Sequence, residues 1–432
     1  MKNYLQYCTV FVLIFCWSCK KDKKDTTSPS VSISTPASGA SFNMYDTVQV
    51  NVHVSDETHL SAVTVSLVDD NNSVLQYTYN QYIQSNDFSF RVDYVLNNYH
   101  LSSGFYYISV TANDGTNSTQ RKQKIYITES PTLRTGFFMV GASQPKTIVR
   151  YDNSLVQQAT ISLATGFTGM AFAPYYQLLF VNGNINQPFE AYDVLYGTSS
   201  WTTAYAGGGL PTFTCVATDG QKPFIGYVAG NIKAMTYLGS PSTNYSFNSN
   251  YYPYSFTITS KYGIGLYHDR TGGGDKLTSF MRNTGTALNS VFMPANVVGV
   301  FEHTQDELYV LGNNTLGQAV FYLYNASVNS LQGPFNLPPG KLLSAGLADS
   351  DHLLLAMNTN TIYCYQYSNT NYTIIANITA QKIFYSPKMR ELDAAANNSM
   401  YSYSLSTNYT LTQTGLASVA DSIIAFEVIT NK

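Results

Sequence analysis

Groups able to do chemistry are sparse in this chain and stand apart from one another. Charged residues make up only 11% of the 432 residues, and polarity comes instead from Asn, Ser and Thr. The densest ionisable cluster is His268, Asp269 and Arg270, with Asp275 just beyond a run of three glycines. A histidine beside carboxylates is what general acid–base catalysis uses, so an enzyme would declare itself here first. The Gly-Gly-Gly-Asp-Lys run lacks both the spacing of a phosphate loop and a following helix, and reads as a loose hairpin. His-Glu-x-x-His, Gly-x-Ser-x-Gly and paired-cysteine metal signatures are missing from the sequence. The six histidines (His53, His59, His100, His268, His303, His352) are dispersed. No catalytic residue is assigned, and the expectation is a protein that is not an enzyme.

Binding is the better prospect. Asn250-Tyr251-Tyr252-Pro253-Tyr254 reads as a link between structural units, and flat rings beside amides suit carbohydrate, whose faces are apolar and whose hydroxyls seek hydrogen bonds. Tyr251, Tyr252 and Tyr254, with His268, Asp269 and Arg270, are therefore the candidate ligand-binding set. Against this, a chain with 36 Tyr and 23 Phe places aromatics near loops by chance, and its core needs them for packing. Asp56, Glu57 and Asp114 are candidate calcium ligands, because clustered hard oxygens are what that ion takes. The competing reading is that Asp114 and Asn113 satisfy backbone groups in a turn. No other cofactor is expected. Cys215 and Cys364 lie in apolar strand patterns, as two separate buried thiols would. A formal charge of −3 and scattered basic residues give no face for nucleic acid.

The N-terminus carries an address. An apolar run from Val10 to Trp17 ends at Ser18-Cys19, followed by alternating lysines and aspartates. It is too short to cross about 30 Å of hydrocarbon, so it reads as an export signal over residues 1–18. A small residue directly before a cysteine resembles the lipobox of bacterial lipoproteins. The resemblance implies lipidation of Cys19 and attachment to the membrane through a tether at 19–30. The match departs from the usual pattern at Cys16 and Trp17, which leaves ordinary signal cleavage as the alternative. Asp46-Thr47-Val48, Asp421-Ser422-Ile423 and Asp25-Thr26-Thr27 look like glycosylation sites of Bacteroidota envelope proteins. Together these features resemble a Bacteroidota-type surface lipoprotein of the outer membrane, exposed at the cell surface.

The fold class is all-β. Residues 31–130 alternate apolar and polar in short runs: Val48, Val50, Val52 and Val54; Val63, Val65 and Leu67; Tyr106, Ile108, Val110 and Ala112; Ile125 and Ile127. About seven half-buried strands suit two sheets face to face. With Pro36 and Gly39 in an early turn and Gly104-Phe105-Tyr106-Tyr107 leading to Asn113-Asp114-Gly115, this stretch resembles bacterial immunoglobulin-like modules, whose usual role is a spacer.

Residues 134–432 contain a repeat: an apolar strand, an Asn/Gly turn, then an aromatic-rich strand. Its last apolar residue recurs at Val181, Val228, Tyr267, Leu311, Met357 and Ala396. That spacing of about 40–50 residues is the size of a β-propeller blade. With Phe137 to Ala142 as a first copy, seven blades are expected, with six or eight as alternatives, and Ser418 to Ile429 reads as a strand pair returning to complete the first. The resemblance is to β-propellers in general, since no WD or kelch signature is present. The functional expectation is non-catalytic recognition of a glycan or an envelope protein on the propeller's loop face. A structural role in envelope assembly is the alternative, and a propeller-based carbohydrate lyase or hydrolase comes third.

Overall fold

The computed structural model describes residues 25–143, 146–163, 166–206 and 212–432. The export signal, Cys19 and the first part of the tether lie outside the described residues. Every named element is a β-strand, and the chain divides at residue 131 into two compact units.

In the first unit, β1 (Ser30–Thr35), β3 (Thr47–Ser55) and β6 (Asp87–Val95) form one sheet. The other sheet runs β2 (Ala40–Asn43), β8 (Ser118–Thr128), β7 (Gly104–Asn113), β4 (Ala62–Val68), β5 (Tyr79–Tyr82), with β2 parallel to β8. The strands number eight rather than about seven. Period-two alternation puts Val48, Val50, Val52 and Val54 opposite Val63, Val65, Leu67, Ile108, Val110, Ala112, Ile125 and Ile127 in one buried cluster. Between the sheets, the Tyr94 hydroxyl donates to the Tyr77 carbonyl at 2.6 Å and accepts from the Leu67 amide at 3.1 Å, which lets a polar group sit inside.

The described residues of the second unit form seven four-stranded antiparallel sheets. Blade 1 contains β9 (Arg134–Gly141), β10 (Thr147–Asp152) and β11 (Gln157–Ser162). Blades 2 to 7 follow as β12–β15 (167–203), β16–β19 (213–246), β20–β23 (251–292), β24–β27 (296–336), β28–β31 (342–376) and β32–β35 (382–418). The last strand, β36 (Ile423–Thr430), pairs antiparallel with β9 and becomes the fourth, innermost strand of blade 1, lying between the inner strands of blades 2 and 7. It is a single strand where the sequence suggested a pair.

The repeat was visible because the second strand of each blade is covered on both faces and so reads as a continuous apolar run. Leu178–Gly183, His352–Met357 and Glu391–Ala396 are nearly all buried. Turns after them use residues that tolerate positive φ, such as Gly230 (99°), Asn360 (68°) and Asn397 (54°). Seven apolar clusters fill the gaps between neighbouring blades, one for each adjacent pair around the ring, including the pair formed by blades 7 and 1. Cys215 and Cys364 are buried in two different clusters.

Candidate functional site

In an up-and-down blade, the turn between the second and third strands shares a face of the ring with the link to the next blade. Blade 4 carries the candidate set on this face. Tyr251, Tyr252 and Tyr254 are not a link: they begin β20 (Tyr251–Ile258), the inner strand, which pairs with β21 (Tyr262–Asp269) as Tyr251 to Asp269 and Tyr252 to His268. The register slips between Pro253 and Ser255. Proline lacks the amide hydrogen a ladder needs, so a bulge accommodates it and swings Tyr254 toward the same partner as Tyr252.

The consequence is an aromatic stack. The Tyr254 ring lies on His268 with centroids 4.0 Å apart, and Tyr252 approaches the same imidazole at 5.5 Å. His268 Nδ1 is 2.7 Å from Asp275 Oδ1, and the Arg270 guanidinium sits 5.4 Å from the Tyr252 ring centre. The Tyr254 hydroxyl is shut off from solvent beside Asp275, and burial first, then that carboxylate, push its pKa well up. His268 keeps 41% of its side chain exposed, so this stack meets solvent through His268 and Tyr252.

Three of the six candidates are occupied elsewhere. Tyr251 is buried in the cluster between blades 3 and 4 beside Phe247 and Tyr267, with Lys276 Nζ 4.7 Å from its ring centre. Asp269 accepts from the Thr271 hydroxyl and amide, both at 2.7 Å, and from the Gly273 amide, which hold its carboxyl below the usual range. Arg270 donates to the Ser249 carbonyl at 3.0 Å and to the Val228 carbonyl of blade 3. These two residues build the loop and fasten it to its neighbour.

A second feature on this face includes one of the repeat's Asn/Gly turns, Gly312 to Asn314, which the sequence placed on the loop face without marking it as a site. Asn296, Asn313, Asn314, Thr315 and Lys341 line a cleft of about 450 Å³ where blades 5 and 6 meet. Its floor is fixed by Asn313, 4% exposed, whose Nδ2 donates to the Leu342 carbonyl at 2.9 Å while its Oδ1 accepts from the Leu342 amide at 2.8 Å. A buried amide paired at both ends mimics a sheet contact between the two blades.

On the opposite face, ionisable groups serve as bridges between blades. Asp219 meets Arg282 at 3.3 Å, Lys261 meets Asp306 at 2.7 Å, and His303 and Tyr309 both reach the Ser350 carbonyl at 2.8 Å. Tyr409 donates to Asp349, and its ring stacks on His352. Arg134 of blade 1 reaches Asp393 of blade 7 at 2.5 Å, with the Ser402 hydroxyl and Glu391 alongside. The histidines thus belong to local contacts with carboxylates, carbonyls and rings, and not to a common centre.

In the first unit, Asp56 and Asp114 come together as the sequence suggested, but their third partner is Asp25. Glu57 is exposed and takes the Thr27 hydroxyl at 2.5 Å. Asp114 also does what the competing reading required, since its Oδ1 accepts from the Thr116 and Asn117 amides at 2.6 Å, and Asn113 accepts from the Gly115 amide. Asp25 precedes the first strand, and only the fold brings it near the other two.

An immunoglobulin-like β-sandwich and a β-propeller in one chain define the class of protein. Residues 29–119 match the family described as Bacterial Ig domain. No curated protein matches the chain. Among solved structures, a chain of the mitotic checkpoint complex is similar at 12% identity, covering 59% of this chain and 80% of that one, with a TM-score of 0.46. The WD40 β-propeller domain of Doa1 is similar at 9% identity, covering 61% and 86%, with a TM-score of 0.47. BamB from Moraxella catarrhalis is similar at 10% identity, covering 68% and 91%, with a TM-score of 0.42. At these identities the likeness is one of fold, and no activity or partner passes from them to this chain.

Proposed function

We propose that this is a lipid-anchored cell-envelope protein, held through Cys19 at the outer membrane with its propeller facing outward, that recognises a glycan without transforming it. The observation that carries the reading is the division of labour between the two faces of the propeller. Charged groups on one face are consumed in bridges between blades. The other face offers Tyr252 and His268 on blade 4 and, where blades 5 and 6 meet, a cleft carrying several amides and a single lysine, Lys341. Aromatic faces and carboxamides are the groups that match a sugar's apolar faces and hydroxyls. The sandwich fits a spacer between anchor and propeller.

The test is a glycan array probed with the full chain beside Tyr252→Ala and Lys341→Ala variants. Binding that weakens at least about tenfold in either variant is expected, the scale of losing one good contact from a small-ligand site. Absence of binding to every glycan removes the ligand class. The anchor is tested separately by metabolic labelling with palmitate: Cys19→Ala loses the label and the membrane association, and retention of both would show that the anchor is not there.

A further inference from the structure

We infer that Asp25, Asp56 and Asp114 bind one calcium ion at an end of the sandwich, and that the ion fastens the segment preceding β1 to the domain. One oxygen from each of the three carboxylates lies within 4.8 Å of the others. Like charges gathered this closely repel unless something positive lies between them.

Asp56 Oδ1 takes the Thr58 amide at 2.8 Å and Asp25 Oδ1 the Thr27 amide at 3.0 Å, but two further observations show that protein donors meet the demand only in part. The Asp56 Oδ2 has no contact with solvent and no hydrogen-bond partner, which for a carboxylate oxygen means desolvation without compensation. The Thr58 hydroxyl, 2.7 Å from Asp56 Oδ1 and 2.8 Å from Asp25 Oδ2, has a single proton for both. Asp114 is meanwhile 1% exposed and held in place by the Thr116 and Asn117 amides, which aim its carboxylate while leaving it charged. An all-oxygen set from three separate segments suits calcium, which takes six to eight oxygens in loose geometry. Magnesium demands a near-ideal octahedron, and zinc prefers nitrogen and sulfur.

Asp25 gives the site its consequence. It lies outside every strand, in the Thr- and Ser-rich stretch before β1, so an ion shared with Asp56 and Asp114 makes the attachment of that stretch depend on calcium. The experiment is calorimetric titration of the full chain with calcium chloride, alongside Asp25→Asn and Asp56→Asn, with magnesium as a control. One ion per chain is expected, in the range of about 10⁻⁴–10⁻³ M typical of extracellular modules, with binding weakened at least about tenfold in each variant and no matching response to magnesium. Asp25→Asn alters no strand pairing, so an unchanged circular dichroism spectrum shows that any loss is not unfolding. Proteolysis of the segment around residues 25–29 should slow when calcium is added. No binding heat up to about 10 mM calcium, or wild-type affinity in both variants, overturns the site, and calcium-independent cleavage overturns the clamp.

Discussion

Asp393 shows what a single buried charge does to this ring. Its side chain is wholly buried, and desolvation outweighs the attraction of Arg134 and the Ser402 hydroxyl, so its carboxyl is raised to about 6. A folded-state value above the unfolded one means the native protein holds a proton that the unfolded chain has released. Stability from this group is therefore full only below the ordinary aspartate range, under about pH 4, and is lost as pH rises through about 6, by up to about 3 kcal/mol. Denaturation midpoints of Asp393→Asn should fall less between pH 4 and 7 than those of the wild type, and parallel pH profiles would count against this account. Arg134→Met should cost about 3–5 kcal/mol at neutral pH, measured by the same titrations, because it strands Asp393 and Glu391 without their cation. None of this was legible in the sequence, since Arg134 and Asp393 stand 259 residues apart and neither sits in a motif. Asp25 escaped notice for the same reason, whereas Asp56 and Asp114 were readable because turns gather acidic residues locally.

At the scale of elements, legibility followed burial. Strands covered on both faces announced themselves as apolar runs, and the sandwich strands announced their inner faces through alternation. Asn250 to Tyr254 was misread because a proline inside an aromatic run argues against a strand, and only the bulge at Pro253 makes β20 possible. Tyr252 and His268 could be named in advance, but not their pairing, which depends on register. The tie between β25 (Glu307–Asn313) and β28 (Leu342–Leu347) shows how little sequence reveals of contacts between elements, because an Asn beside a turn looks like part of that turn. Asn313→Ala leaves the Leu342 amide and carbonyl short of their buried partner and should cost about 1–3 kcal/mol in urea unfolding. Gly312→Ala should cost as much or more, because a Cβ there would lie 2.3 Å from the Asn296 carbonyl oxygen and force β25 away from the inner strand of its blade.

Among the described residues each unit has its own core, a single cluster in the sandwich and seven clusters around the propeller. Scanning calorimetry should resolve two transitions, of which Asp393→Asn moves only the one belonging to the propeller; a single transition would mean that the units unfold as one. Within the propeller, the cluster joining blades 7 and 1 depends on β36, which contributes Ile423, Phe426 and Val428. Phe426, 1% exposed, should cost about 3–5 kcal/mol when replaced by Ala, read from the same calorimetric transition.

The pairing of β36 with β9 also sets a timetable. Leu133 bonds to Asn431, 298 residues further along, so the first blade waits for almost the entire domain to be synthesised before its inner strand exists. Contacts that distant form late, and β9 exposes an unpaired edge until they do. A chain cut short anywhere before Ile423 therefore keeps that edge of β9 bare, with its first sheet lacking the inner member.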